Sequence, residues 1–313
     1  MPDPTTIDGV LVQWGDRLFY PGNRTVRDRT PRLRDPSQRH RANAIRERIT
    51  DTVVRRAPQV MVKVTGGGRG MKAIAAHLRY ISKHGRLDIE DDRGQSVRGQ
   101  DAVHDLAREW RYSGSYIGDT SERREAFNIM LSMPRGTADA SIVQRAAREF
   151  AQAELADHKY VMVLHDHQAN PHVHLSVRAE SRHGKRLNPR KADLHRWRET
   201  FAEKLRGYGI EAEATRQATR GHARNYPELW RVKAAEDGRL RTTGASTKSS
   251  PRSRSMRAEA AEAWRQVGQA LALSGDAADR NLARSIERFV HDMPHSRPPV
   301  DPSKVRQDME PRR

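Results

Sequence analysis

The residues best suited to chemistry lie in one short run: His165-Asp166-His167-Gln168-Ala169-Asn170-Pro171-His172-Val173-His174-Leu175. Residues 160–165 are largely apolar and read as a strand, and 171–178 alternate as a second strand. Successive side chains on a strand point to opposite faces. His172 and His174 therefore share one face, and Val173, Leu175 and Val177 share the other. A tight antiparallel hairpin brings His165 back beside that pair. Three neutral imidazoles can bind a divalent cation and leave positions open for substrate. Imidazole suits zinc, copper, iron and nickel, whereas magnesium and manganese prefer oxygen. A three-His site that handles phosphate can still use magnesium when phosphate oxygens and water complete the shell. The chain has 313 residues and no cysteine. This excludes a disulfide scaffold, a thiolate nucleophile and a Cys-ligated zinc or iron–sulfur centre.

A second reactive group stands on a helix. The spacing of Met71, Ile74, Leu78 and Ile81 predicts a helix over 71–83, ended by Gly85. At about 100° per residue, Tyr80 lies roughly 140° from the middle of that apolar stripe. His77 and His84 lie nearer its side. Tyr80 thus faces solvent or a cleft, where its phenol can react. A free phenol titrates near 10, so it needs help to ionise, from a metal's field or a neighbouring group. Asp166, His167 and His84 are the candidates to take the proton or to orient a ligand imidazole. A three-His site, a cleft tyrosine and a basic chain together suit attack of tyrosine on a DNA phosphodiester.

The elements that must hold these groups form an α+β pattern. A strand over 60–64 leads through Thr65-Gly66-Gly67-Gly68-Arg69-Gly70 into the tyrosine helix. That glycine run lacks a Gly-Lys-Ser/Thr ending, which excludes a nucleotide P-loop. Residues 89–118 read as loop-rich. A strand over 127–133, a helix over 140–156 opened by Asp139, the two histidine strands, and a helix opened by Asp193 and ended by Gly207 or Gly209 complete the order. The two histidine strands are joined by too few residues for a parallel crossover. An antiparallel sheet with flanking helices is expected over 57–215.

The net charge of +18 and the 58 Lys+Arg point to nucleic acid over lipid. Residues 24–56 hold eleven arginines and few apolar residues. They read, with all of 1–56, as a basic, partly disordered arm. Residues 216–313 read as a basic C-terminal region with a linker near 242–255, helices near 256–273 and 277–290, and a Pro-rich end. No apolar run is long enough to span a membrane, and no secretory leader is evident, so a cytoplasmic location is expected.

These motifs resemble the bacterial relaxases, the mobilisation nucleases of conjugative elements, in the single-tyrosine branch that includes the T-DNA border endonuclease. His172-Val173-His174 with upstream His165 resembles the family's three-His motif. Leu78-Arg79-Tyr80-Ile81 followed by Gly85 resembles its nucleophile motif. Gly184-Lys185-Arg186-Leu187-Asn188 and the helix after Asp193 are also similar. The resemblance covers about 58–220. It implies an HUH-endonuclease fold, with Tyr80 as the nucleophile that nicks one strand at an origin of transfer and stays on the 5′ phosphate. It further implies Mg²⁺ or Mn²⁺ on His165, His172 and His174. Single-stranded DNA, accessory relaxosome proteins and a type IV coupling protein would be the partners. Arg69, Lys83, Lys185, Arg186 and Arg190 are candidate DNA-backbone contacts. A rolling-circle replication initiator of the same chemistry and a non-catalytic basic DNA-binding protein are the competing readings.

Overall fold

The computed structural model describes residues 6–19, 36–166, 170–216, 218–220 and 251–293. They fall into two compact units, one of residues 57–214 and one formed by the two ends of the chain.

In the unit of residues 57–214, a six-stranded sheet runs in the order β1-β4-β6-β5-β2-β3. Its strands are β1 (Met61–Gly66), β2 (Ile89–Asp91), β3 (Ser96–Val97), β4 (Ala126–Ser132), β5 (His158–His165) and β6 (His172–Ser181), and every pairing is antiparallel. Helices cover both faces. On one side Val62, Ile129, Leu131, Met162, Val173, Leu175 and Val177 pack against α5 (Ala140–Glu154) and α6 (Lys191–Gly207), around Phe150, Trp197 and Phe201. On the other, Ala126, Val161 and Val163 pack against α3 (Met71–Ile81) and α4 (Gln100–Tyr112). This α+β architecture matches the fold class expected from the strand and helix order. β5 reads as a nearly continuous apolar run because both its faces are covered, whereas β6 alternates apolar and polar side chains.

The stretch expected to be loop-rich differs. Residues 89–118 contain β2, β3 and α4. The short strands are polar and exist because β2 pairs with Val161 and Met162 of β5. In α4, Val103, Leu106, Ala107 and Trp110 form a regular buried stripe that polar neighbours mask in the sequence. The glycine run is likewise not a loose turn. A side chain at Gly67 or Gly68 would collide with Ala126 or Ile74, and Gly70, at φ +94°, abuts the backbone of Asp119 and Thr120. The Gly68 amide donates to the Ala126 carbonyl, so it is already committed within the fold.

The chain ends also differ from the expected arm and separate C-terminal region. Helices α1 (Ile7–Phe19), α2 (Pro36–Ile49), α7 (Pro251–Ala272) and α8 (Ala277–His291) share one core, and α2 continues into a π-helical turn, Thr50–Val54. Leu11, Leu18, Phe19, Ile45 and Ile49 meet Trp264, Val267, Leu271 and Ile286 there. Arg46 ties three helices, donating to Asp8 at 2.9 Å and to Asp279 at 2.9 and 3.1 Å. The cause of the misreading is physical. The apolar stripe of α2 is narrow among arginines, and much of the core it joins comes from α7 and α8, more than 200 residues away. Residues 20–35 and the expected Pro-rich end lie outside the described residues, as does most of the expected linker; 251–255 open α7.

Trp264 is the keystone of that core. Its ring meets Phe19 and Phe289 edge-on at 5.9 and 5.4 Å, and its Nε1–H donates to the Thr219 carbonyl at 2.7 Å. Trp264→Ala is expected to cost about 3–5 kcal/mol, read as a lower urea midpoint by far-UV circular dichroism. A shift under about 1 kcal/mol would contradict this packing.

Among the described residues, no helix is long and apolar enough to cross a membrane.

Candidate active site

The register of β5 on β6 sets His165 directly opposite His172, while Val163 faces His174. Along β6, Val173, Leu175 and Val177 enter the α5/α6 core. His172, His174, Ser176 and Arg178 therefore project to the opposite face, because the strand period is two. The structure brings His165, His172 and His174 together: one ring nitrogen from each lies within 4.8 Å of the others. Ring centroids are 4.6–5.0 Å apart.

Each ring has a definite setting. His165 Nε2 lies 2.7 Å from the Ile81 carbonyl, and His172 Nδ1 lies 2.9 Å from the Asn170 carbonyl. A carbonyl only accepts, so these nitrogens carry the hydrogens, and in the neutral rings His165 Nδ1 and His172 Nε2 carry the lone pairs. Backbone carbonyls thus orient two of the three imidazoles. Asn170 is itself fixed, because its Oδ1 accepts from the Arg135 amide. His174 Nδ1 is buried with no hydrogen-bond partner among the described residues. Burial, with the neighbouring His165, His172 and His77 adding to it, pushes the His174 pKa down to about 3. That ring is neutral at pH 7 and ready to act as a ligand. Three imidazoles gathered this closely form a donor set of the type that suits a divalent ion.

Tyr80 stands near the end of α3 and is 70 % exposed. The helix stops at Ile81, two residues before the expected end. Lys83, His84 and Gly85 then adopt φ of +50°, +59° and +80° in succession. For Lys83 and His84 this left-handed backbone is strained. Buried Ser82 holds the reversal: its Oγ donates to the Arg79 carbonyl and accepts from the Gly85 amide. Gly85 is required here, since a Cβ would strike the backbone of Gly99. The abrupt stop leaves the Ile81 carbonyl available to His165, which couples the tyrosine helix to the histidine hairpin through one hydrogen bond.

His77 joins the two groups and was absent from the expected site. Its ring stacks on Tyr80 at 6.3 Å and meets His174 edge-on at 6.5 Å. The only sequence signal is its place three residues before Tyr80, on an adjoining part of the helix surface. Burial pushes its pKa down to about 4, so it is a neutral imidazole at pH 7. The unfolded chain takes up a proton below about pH 6.5 and the folded one only near 4. Stability from this group is therefore present above pH 6.5 and lost as pH falls toward 4. His77→Phe is expected to flatten this slope by on the order of 1–2 kcal/mol, after allowance for solvent screening of a part-exposed ring. Urea unfolding of chelator-treated protein between pH 4 and 7 checks it; an unaltered slope contradicts the assignment.

The remaining expected residues disperse. Asp166 is exposed at the end of β5, and His167 lies outside the described residues. His84 and Arg69 are exposed, while Lys83 is half-buried. Lys185 and Arg186 follow β6 at its end remote from His172, about 30 Å along the strand. Arg186 is engaged by Glu125, Glu180 and the Arg124 carbonyl, and so acts within the fold. Arg190 caps α6; its amide donates to Asp193, which stands inside the first turn instead of at the cap. A row the sequence did not reveal crosses the sheet: Lys63, Met130, His174 and Val163 are direct cross-strand neighbours. Lys63 is exposed there.

Residues 80–210, which contain Tyr80 and all three histidines, match the family described as Relaxase: MobA/VirD2-like, nuclease domain. The chain carries a relaxase nuclease domain of the MobA/VirD2 kind. It is similar to the T-DNA border endonuclease VirD2 of Agrobacterium fabrum, 26 % identical over 187 residues, and to that of Rhizobium rhizogenes, 27 % identical over 188 residues. Each match covers 52 % of this chain, and 41 % and 42 % of the respective relatives. The chain thus spans less than half the length of these relatives.

Proposed function

We propose that this protein nicks one strand of DNA at an origin of transfer, using Tyr80 as nucleophile, and holds the cut end for conjugative mobilisation. The observation that carries this reading is the hydrogen bond from His165 to the Ile81 carbonyl, beside the exposed phenol of Tyr80. It sets the nucleophile's helix against the three-His cluster.

The Tyr80 oxygen attacks the phosphorus of a phosphodiester. A P–O bond forms to tyrosine, and the bond to the 3′ oxygen breaks. The phenol proton leaves, and the departing 3′ oxygen takes up a proton as the hydroxyl. The 5′ phosphate remains as a tyrosyl ester, which a later 3′ hydroxyl reverses. His165, His172 and His174 would hold Mg²⁺ or Mn²⁺, which when bound polarises a non-bridging oxygen and offsets the charge that develops on it. His77, neutral and stacked on Tyr80, holds the phenol's ring beside the cluster.

Single-stranded DNA is the substrate, and accessory relaxosome proteins and a type IV coupling protein are the partners that follow from this role. The test is incubation with Mn²⁺ or Mg²⁺ and single-stranded oligonucleotides from the protein's own genetic element. The expected product is a protein–DNA adduct that survives denaturant and is absent when the metal is chelated. No adduct with any sequence from that element would sink the proposal.

A further inference from the structure

Large apolar or aromatic side chains that remain exposed among the described residues are few, and two of them are neighbours. Tyr112 and Tyr116 are 69 % and 63 % exposed, with ring centroids 5.8 Å apart and planes tilted by 46°. At that tilt the rings are not stacked on each other, and their exposure leaves each free to take a flat partner.

The loop that displays them is firmly held. Arg178, only 2 % exposed, projects from β6 and donates to the carbonyls of Trp110 and Ser115, one on each side of the turn at Gly114. Gly114, at φ +95°, lies against this guanidinium. The Ile117 amide donates to the Arg111 carbonyl at 3.1 Å, and the Ile117 side chain is buried. Arg111 in turn pairs with Asp119 and donates to the Tyr116 hydroxyl at 3.4 Å. A buried cation is retained only when its donors are satisfied. Here they are satisfied by fixing the backbone of a surface loop whose rings face water.

The loop is also anchored to the nucleophile's helix. The Gly118 and Asp119 carbonyls accept from the Met71 and Lys72 amides at 2.9 and 3.1 Å. Tyr80 stands eight to nine residues further along, about 12–14 Å at 1.5 Å per residue. That is about four nucleotides at the ~3.4 Å spacing of a stacked strand. Arg69 and Lys72, both exposed, flank this anchor with positive charge. On β6, Arg178 projects from the same face as His174, four residues on.

We propose that Tyr112 and Tyr116 form a stacking platform for unpaired bases of the single DNA strand that Tyr80 cuts, with Arg69 and Lys72 meeting its phosphates. Aromatic faces accept any base, and adjoining cations follow the backbone, which is how single strands are held without reading sequence. A protein partner would gain little from two tilted tyrosines set beside cations, whereas a polyanion with flat bases gains from both. The inference rests on the strand-nicking function proposed above.

The test uses the full chain and single-stranded oligonucleotides carrying a fluorescent adenine analogue at successive positions. Binding is expected to quench the analogue at positions near the nick. Tyr112→Ala and Tyr116→Ala should each weaken binding about tenfold, or about 1.4 kcal/mol. Tyr112→Phe and Tyr116→Phe should bind as the parent does, because the ring face and not the hydroxyl is used. If the parent binds single strands and the alanine variants bind them equally well, the platform is refuted while the nicking proposal stands. If the parent binds no single strand, both fall.

Discussion

Tyr80→Phe is expected to abolish the covalent protein–DNA adduct, lowering its rate of formation by about 10⁴-fold or more. The substitution removes one oxygen and nothing else that the fold uses. Tyr80 is exposed, and its ring contact with His77 survives in phenylalanine. The urea midpoint should therefore stay within about 0.5 kcal/mol of the parent, and affinity for single-stranded DNA should be unchanged. A denaturing gel with end-labelled oligonucleotide reads the chemistry, and equilibrium binding reads the affinity. An adduct that persists in Tyr80→Phe would move the nucleophile elsewhere, with exposed Tyr112 and Tyr116 the first to examine.

His174→Ala is expected to weaken divalent-ion binding by about 100-fold or more and to remove the adduct with it, since a three-ligand site reduced to two loses both affinity and shape. His165→Ala should lose the metal equally but also carry a second effect. It deletes the hydrogen bond to the Ile81 carbonyl, so the chelator-treated protein should be about 1 kcal/mol less stable than the parent. His174→Ala has no such bond to lose; it removes a buried ring whose protonation burial opposes, so its metal-free stability should be less sensitive to acid below pH 6. Calorimetric titration with Mn²⁺ and urea unfolding in chelator separate these effects. Parental Mn²⁺ affinity in either variant would remove the triad from the metal site.

Much of the site could be read from the chain because its logic is local. Tyr80 falls outside the stripe of Met71, Ile74, Leu78 and Ile81, and the structure leaves it in solvent while burying those four. The alternation His172-Val173-His174-Leu175 separates core from site without any knowledge of the partner strands. Where local pattern was weak, reading failed. α4 hides behind charged neighbours, β2 is a strand only through pairing with β5, and β3 only through pairing with β2. The stop at Ile81 depends on a left-handed turn that Lys83 and His84 do not announce. His77 is an ordinary helix residue until it is seen between Tyr80 and His174.

The charge of +18 illustrates the same division. It points to an anionic partner, and by itself it leaves the arginine-rich ends of the chain without a fold of their own. Arg41 and Arg46 instead pair with Asp16, Asp8 and Asp279 inside a helical unit. Composition determines how much charge a chain carries; which charges are used internally depends on neighbours distant in sequence.

The sequence by itself thus determined the faces that the candidate tyrosine and histidines occupy and the class of sheet that carries them. Helix and strand periodicities are properties of the backbone over a few residues and are written directly into side-chain order. Only the tertiary structure decided that His165 sits opposite His172, that the Ile81 carbonyl ties Tyr80's helix to the triad, that Arg178 secures a pair of exposed tyrosines, and that the two chain ends build one core. Each of these depends on register and packing between segments tens to hundreds of residues apart, where the stabilising contact lies in the meeting of two surfaces and in neither segment alone.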